Sequence, residues 1–322
     1  MLKTLCLAIL LIIVIAGLWP FNFIPKNEVE WLQDKHGVHF YGQGMIVSAD
    51  VWGNEQKPLF PDKSITLEIM LRPLLETSNL PGILTFYDGK TPDLMLVGQW
   101  RSHLAIRSRT DDPAARKRGK PYQEIGLRNG LLKDQDVFIT ITSNTEGTAI
   151  YLNGKLARSY PRHRLLAGYQ GEPARLILGN SPNGHSYWTG NLLGLAIYDR
   201  ALTPDQVFGG YRAWNGGNPA AVAAKEGCLG SYLFHEKAGT TVHNLANPQF
   251  SLAMPTLFTP LQRIILDPPW AWRDFRWSWS LAQDVTINIL GFIPFGFFFS
   301  ILLMRTTRLK RSAIFFIIAA AG

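Results

Sequence analysis

The sequence predicts an all-β antiparallel sandwich flanked by transmembrane α-helices, and three observations carry this prediction. Charge-free apolar runs lie near both ends of the chain, at residues 4–25 and 285–304. Between them, short segments alternate apolar and polar residues with period 2, as strands with one buried face do. Gly, Pro and Asn separate these segments, a spacing typical of antiparallel sandwiches.

The composition agrees with such a mixed architecture. The chain has 322 residues, enough for about two domains, and 47% of them are hydrophobic. Charged residues make up 17%, below the roughly 25% of soluble domains. A chain this apolar buries enough surface to offset its ordering entropy, which excludes disorder.

The first apolar run predicts a transmembrane helix within residues 1–25. The bilayer core requires roughly 20 helical residues, and Leu5 to Trp19 is almost purely aliphatic. Lys3 would also suit a cleaved signal peptide, which remains the alternative. The run ends in AGLWPF instead of the small residues of a cleavage site, so we expect an uncleaved anchor.

The second run predicts a transmembrane region at 281–322, preceded by a juxtamembrane linker at 251–280. Tryptophans cluster before the run and basic residues follow it, as an aromatic belt and a positive-inside flank do: Trp270, Trp272, Trp277, Trp279, Arg305, Arg308, Lys310 and Arg311. A buried core helix is the alternative. An 11-residue apolar run closes the sequence, and we expect the protein to continue past Gly322.

These flanks orient the chain in a bacterial inner membrane. With Lys3 and the basic loop in the cytoplasm, residues 26–280 are expected outside it. Part of the net charge of +8 then comes from the predicted cytoplasmic loop. The charge is therefore weak evidence for nucleic-acid binding, and we expect no nucleic-acid partner. Cys6 lies in the first run and Cys228 in the outer domain, so they cannot form a disulfide.

Strand signals fill the predicted outer domain, residues 26–250. In SITLEIML, Ile65 and every second residue to Leu71 are apolar, and VFITITS at 137–143 repeats the pattern. Asn153-Gly154 predicts a hairpin turn. Further strands are predicted at 45–52, 82–88, 93–98, 103–109, 174–179, 191–198 and 229–234.

One helix start is clearly marked. Thr203 is followed by Pro204 and, three residues after the threonine, by Gln206, which is the pattern of a capping box with proline at the first helical position. We expect about two turns, ending before Gly209-Gly210.

Two segments resemble a known family. LILGNSPNGHSYWTGNLLGLAIYDRALTPDQV and ITITSNTEGTAIYLNGKL are similar to the closing strand-to-helix signature and the hairpin of laminin-G-like, concanavalin A-type jelly rolls. The resemblance covers roughly residues 36–245 and implies a sandwich of that type.

A second resemblance lies at the carboxyl end. The pattern Asp284-x-x-x-Asn288-x-x-x-Phe292-x-Pro294-x-Gly296 is similar to a stretch of VanZ-like membrane proteins. It implies a VanZ-like helical unit whose first outer loop contains the sandwich. The later part of that family's pattern would lie beyond Gly322.

Two places are candidate sites. Asn183, His185, Tyr187 and Trp188 precede the closing strand and could stack on a sugar, or could cover the edge of the sandwich. Asp284 and Asn288 share one helix face at membrane depth, where polar groups are costly unless they pair or line a cavity. They predict a polar ligand site or, alternatively, an interfacial cap.

Other chemistry has weaker support. The basic residues of 107–120 and 158–164 suit anionic envelope polymers or a solvated loop. We expect no obligatory cofactor and no metal site, with Ca²⁺ at Asp111 and Asp112 as the alternative. No catalytic motif is present. The sequence thus predicts a non-catalytic glycan- or envelope-binding membrane protein, with a VanZ-like resistance-type role or a structural module as alternatives.

Overall fold

The structure is a computed structural model that describes residues 25–261, apart from 55, 91, 92, 217 and 219, together with residues 4, 8, 11, 12, 15 and 286. Most residues of the predicted membrane segments, including Asp284 and Asn288, therefore lie outside the described residues. In the first run the described positions are helical, and Leu11, Ile12 and Ile15 are exposed. Within the described part of the chain, no helix is both long and apolar enough to cross a membrane.

Strands dominate residues 25–261. Three α-helices and one 3-10 turn accompany them: α1 (Pro113–Lys117), α2 (Pro204–Asn215), α3 (Ala220–Ala223) and the turn Pro248–Phe250. The strands are β1 (Val29–Trp31), β2 (Val38–Phe40), β3 (Ile46–Ser48), β4 (Ile65–Pro73), β5 (Gly82–Tyr87), β6 (Met95–Trp100), β7 (His103–Arg109), β8 (Tyr122–Leu127), β9 (Val137–Asn144), β10 (Gly147–Leu152), β11 (Lys155–Tyr160), β12 (Arg175–Leu178), β13 (Gly190–Tyr198), β14 (Cys228–Tyr232), β15 (Thr241–Val242) and β16 (Leu252–Ala253).

The strands form two antiparallel sheets of eight strands each. Sheet 1 has the order β1-β2-β13-β4-β9-β10-β11, with β14 also paired to β13. Sheet 2 has the order β15-β16-β3-β12-β5-β6-β7-β8. The prediction of an all-β antiparallel sandwich is confirmed.

The core lies between the two sheets, where period-2 alternation predicted it. Ile65, Leu67, Ile69 and Leu71 of β4 are fully buried, and so is Ile139 of β9. They join one large cluster with the inward residues of sheet 2. Burial of one face of each strand supplies the main driving force of the fold.

The predicted hairpin joins β10 and β11. Leu152 pairs with Lys155, and the two residues between them have φ angles of 49° (Asn153) and 76° (Gly154). Positive φ at both central positions is what a type I′ turn requires, and Asn-Gly supplies it at little cost.

Helix α2 begins as predicted but ends later. Thr203 accepts a hydrogen bond from the Gln206 amide, and the capping box is complete. The helix runs on to Asn215 because Trp214 is buried and its indole nitrogen donates to Glu68 of β4 at 3.0 Å. Gly210 lies within this helix. A side chain at this position would collide with Glu68, so the packing of α2 on β4 requires a glycine here.

The two ends of this compact unit lie side by side. The Asn27 amide donates to the Thr256 carbonyl at 3.1 Å, and the Phe258 amide donates to the Pro25 carbonyl at 2.9 Å. Phe258 then packs on Met45 and Ile177, on the outer face of sheet 2. Residues 254–261 thus cover the β3–β12 half of that face.

Candidate functional site

The β6–β7–β8 half of the outer face of sheet 2 forms a groove of about 690 Å³. Its floor is the small cross-strand pair Ala105 and Gly126. Larger lining residues rise around this floor on strands β6, β7, β8 and β11 and on the segment before β5: Ser78, Leu80, Trp100, His103, Arg107, Glu124, Arg128, Arg158 and Tyr160. A depression with a small-residue floor and tall polar walls can admit a narrow polar ligand.

Trp100 is the exposed aromatic residue of the groove. It closes β6, and 44% of its surface is accessible. Its ring centroid lies 5.4 Å from that of His103, its partner across the β6–β7 hairpin. The indole therefore offers an apolar face to solvent at one end of the groove.

Buried hydrogen bonds support the hairpin that carries Trp100. The Gln99 amide nitrogen donates to the carbonyls of Leu75 (2.9 Å) and Arg101 (2.7 Å). The Gln99 amide oxygen accepts from the Trp188 indole nitrogen at 2.7 Å. Since Gln99 and Trp188 are buried, these bonds are shielded from water and fix the turn beside Trp100.

An ion pair forms one wall of the groove. Arg107 donates to Glu124 from Nε (3.2 Å) and from Nη2 (2.9 Å). Their side chains are 36% and 54% exposed, so both groups remain within reach of a ligand. The wall therefore holds a carboxylate acceptor next to a guanidinium donor.

Tyr160 of β11 also lines the groove. Its hydroxyl accepts from the Gly126 amide at 3.2 Å and donates to the Gly126 carbonyl. These bonds satisfy backbone groups on the edge strand β8, which would otherwise be open to pairing with another chain. They also link β11 of sheet 1 to the groove in sheet 2.

Comparison with known proteins identifies the type of domain. Residues 58–208 match the Laminin_G_3 family model, the concanavalin A-like lectin/glucanases superfamily. Residues 58–208 therefore resemble a concanavalin A-like domain. No curated protein matches the chain.

Several solved structures are similar to this chain at low sequence identity. A heptameric SAP-like pentraxin from Limulus polyphemus is 13% identical over 58% of this chain and 79% of its own, with a TM-score of 0.40. A candidate carbohydrate-binding protein from Bacteroides ovatus is 13% identical over 74% and 62%, with 0.46. The CBM40 of the Ruminococcus gnavus IT-sialidase is 10% identical over 54% and 96%, with 0.40. At these identities the likeness concerns the fold alone.

The loop predicted to bind sugar, residues 183–188, contacts the hairpin of the groove through the bond from Trp188 to Gln99. The prediction for Trp188 requires a correction. Trp188 is only 1% exposed, so it cannot present its ring to a ligand as predicted. Asn183 accepts from Ser181 Oγ (2.6 Å) and from the His185 amide (3.1 Å), which shapes the loop. Tyr187 is 44% exposed, and ligand binding there stays a prediction.

The basic and acidic residues singled out in the sequence separate in the structure. Arg107 and Arg158 line the groove of the concanavalin A-like domain, whereas Arg109 is buried with Asp88. Asp112 accepts from the Ala114 amide at 2.8 Å, which starts α1. Among the described residues, no group of three or more His, Cys, Asp or Glu could hold a metal ion.

Sequence reasoning missed Trp100 and Glu124. Both stand at outward positions of strands. An alternating strand normally places exposed residues at these positions, so an aromatic or charged residue there does not indicate a site. Only the pairing of β6, β7 and β8 brings them to one groove. The available signal was weak: a tryptophan at the end of a strand beside two consecutive polar turn residues.

Asp93, just before β6, is a half-buried carboxyl group near Arg109. Burial raises the pKa of Asp93 to about 6, although Arg109 lowers it; Asp88 raises it further and Arg107 lowers it. The folded domain therefore holds the proton of Asp93 more tightly than the unfolded chain does. The contribution of Asp93 to stability is therefore largest below the unfolded value near 3.8 and is lost as the pH rises through about 6.

We expect Asp93→Asn to stabilise the domain by about 1–2 kcal/mol at pH 7.5 and to have no effect at pH 3.5, because the amide removes a charge that burial disfavours. Denaturant unfolding of both proteins at the two pH values measures this. The exposed Asp62→Asn variant is the control and should change neither value. A gain for Asp93→Asn that is equal at both pH values would contradict the role of burial.

Proposed function

We propose that this protein is a non-catalytic, membrane-anchored receptor for glycans and that its concanavalin A-like domain binds them in the groove of β6, β7 and β8. The observation that carries the proposal is the exposed indole of Trp100 at the end of a groove with a small-residue floor. Sugar rings have apolar faces and polar edges, and such rings stack on indoles.

The walls complement the edges of a sugar ring. Glu124 can accept hydrogen bonds from hydroxyl groups, and Arg107 and His103 can donate to their oxygens. The Ala105–Gly126 floor leaves room for the ring between them. A few placed polar groups around an apolar surface are the usual composition of a small-molecule site.

The same groove supports binding without catalysis. Glycoside hydrolysis uses two carboxylates on opposite sides of the bond. Among the described lining residues, Glu124 is the only carboxylate, and it is bound by Arg107. A carboxylate held in this way is suited to orient hydroxyl groups.

The paired chain ends support attachment to a membrane. Because Pro25 and Phe258 are joined by a hydrogen bond, the domain can be inserted between two neighbouring membrane segments without distortion. Apolar runs lie on both sides of it in the sequence, and Leu11, Ile12 and Ile15 are exposed on a helix. We place the receptor in a bacterial inner membrane, with the domain on the outer side.

A glycan array probed with the full chain in neutral detergent tests this function. Trp100→Ala should weaken binding at least about tenfold, because the stacking surface is lost. Tyr187→Ala is the matched control, since both side chains are 44% exposed. The opposite ranking would move the site to the loop at 183–188. Absence of binding to every glycan on a broad array would contradict the proposed function.

A further inference from the structure

We infer that the groove selects glycan polymers that carry anionic groups, carboxylates or phosphates, an inference that rests on the proposed function. The geometry points to three arginines that are each stacked on an aromatic ring at the groove. Such pairs hold the planar donor group of arginine in a defined orientation.

Each of the three pairs has at least one member in the lining of the groove. The Arg101 guanidinium carbon lies 5.3 Å from the ring centroid of Trp100. The Arg107 carbon lies 5.0 Å from the centroid of Tyr122, and the Arg158 carbon lies 5.0 Å from that of Tyr160. The first two pairs belong to sheet 2 and its β6–β7 turn, and the third belongs to β11 of sheet 1.

The groove carries an excess of positive charge. Its lining contains Arg107, Arg128 and Arg158 but a single carboxylate, Glu124, which gives three positive charges against one negative charge. Arg128 and Arg158 are exposed. A neutral sugar does not require this excess, whereas an anionic one gains from it at every charged unit that it places in the groove.

Arg107 keeps donor capacity beside its ion pair. Glu124 engages Nε and Nη2 of Arg107, while Nη1 takes no part in that ion pair. Arg158 stands on β11 and also lines the groove. Donors from two strands can therefore bind carboxylate or phosphate oxygens along one polymer, and the N–H groups of arginine match those oxygens in geometry and charge.

The depth of the groove favours a polymer over a membrane surface. Its floor residue Ala105 is 8% exposed and lies below the walls built by Trp100 and Tyr160. A flat layer of lipid headgroups could touch the rims but could not fill this floor. A narrow chain of sugar or polyol units can enter the groove and reach the lining residues Arg107, Arg128 and Arg158.

Titration calorimetry with the full chain in neutral detergent tests the inference on two matched polymers. The probes are polygalacturonate and its fully methyl-esterified form, which share a backbone and differ in charge. We expect at least tenfold tighter binding of the acid form. Arg158→Gln should reduce that affinity about five- to tenfold and leave binding of the ester unchanged.

Arg212→Gln is the charge-matched control, because Arg212 is exposed on α2, which packs on sheet 1. An equal loss for this variant would overturn the inference in favour of a general charge effect. Equal binding of ester and acid would overturn the anionic preference and leave glycan binding intact, whereas failure of both polymers and of the array would remove the proposed function itself.

Two further probes identify the source of the anionic group. Poly(glycerol phosphate) that binds as tightly as polygalacturonate, with the same dependence on Arg158, supports a groove that accepts either anion. Phosphatidylglycerol vesicles that bind through Arg158 while neither polymer binds would overturn the inference in favour of a lipid surface.

Discussion

Replacing Trp188 with alanine should destabilise the domain by about 3–5 kcal/mol. Trp188 is 1% exposed, and removal of a buried aromatic side chain loses both its transfer free energy and the packing around the resulting cavity. Phe40 packs against its ring, with a centroid distance of 5.9 Å. The variant also leaves the buried amide oxygen of Gln99 without its indole donor, which adds to the cost.

Trp188→Phe separates these two contributions. It keeps most of the apolar volume but removes the indole N–H, so we expect a smaller loss of about 1–3 kcal/mol. Urea unfolding followed by tyrosine fluorescence or circular dichroism measures both variants. Trp100→Ala is the exposed counterpart and should change stability by less than about 1 kcal/mol. A stable Trp188→Ala protein that has lost glycan binding would instead support a ligand contact.

Breaking the buried ion pair of Asp88 and Arg109 should have an effect of similar size. Two hydrogen bonds of 2.7 and 2.8 Å join the carboxylate to the guanidinium. Their side chains are 0% and 7% exposed. Arg109→Leu leaves the Asp88 charge buried without its main partner, and we expect a loss of about 3–5 kcal/mol.

Two variants make this expectation specific. Asp88→Leu combined with Arg109→Leu removes both charges of the pair and should recover part of the loss, because Asp88 is no longer buried as an unpaired charge. Glu172, 3.9 Å from Arg109, and Asp93 still lose a nearby cation. Arg72→Leu is the surface control: the Arg72–Asp136 pair is also bidentate, but its side chains are 34% and 41% exposed. We expect less than about 1 kcal/mol there. Equal losses for the buried and exposed pairs would contradict the role of burial.

The ion pair also bears on the groove. Arg109 is two residues from Arg107 on β7 and therefore points to the same face of sheet 2. Asp88 holds this end of the strand to the β5–β6 connection. A variant that weakens the pair can loosen the wall that carries Arg107 without touching a ligand.

Much of the sandwich could be predicted from the sequence, because the features concerned depend on residues that are close along the chain. Strand β4 has an apolar residue at every second position from Ile65 to Leu71, so its core-facing side can be predicted from the residues. Asn153 and Gly154 tolerate the positive φ of their turn. The capping box of Thr203 and Gln206 supplies hydrogen-bond acceptors to backbone amides within the first turn of α2. None of these features depends on a distant partner.

Short or polar strands were not predictable in this way. Strands β1 and β2 have three residues each, too few for a period to appear. Strand β2 forms because β13 pairs with it, and β1 in turn pairs with β2. Strand β8, with the sequence YQEIGL, has a single fully buried position, Ile125. Its place in the sheet follows from pairing with β7.

The alternating strands, the hairpin, the start of α2 and the type of domain are predictable from the sequence, since these features depend on residues that are close along the chain. Which tryptophan is buried and which is exposed depends on contacts between distant segments. Trp188 packs against Phe40 and bonds Gln99, 89 residues away, while Trp100 stays outside. Composition cannot distinguish two tryptophans at strand ends, because burial depends on what the rest of the chain brings over each ring.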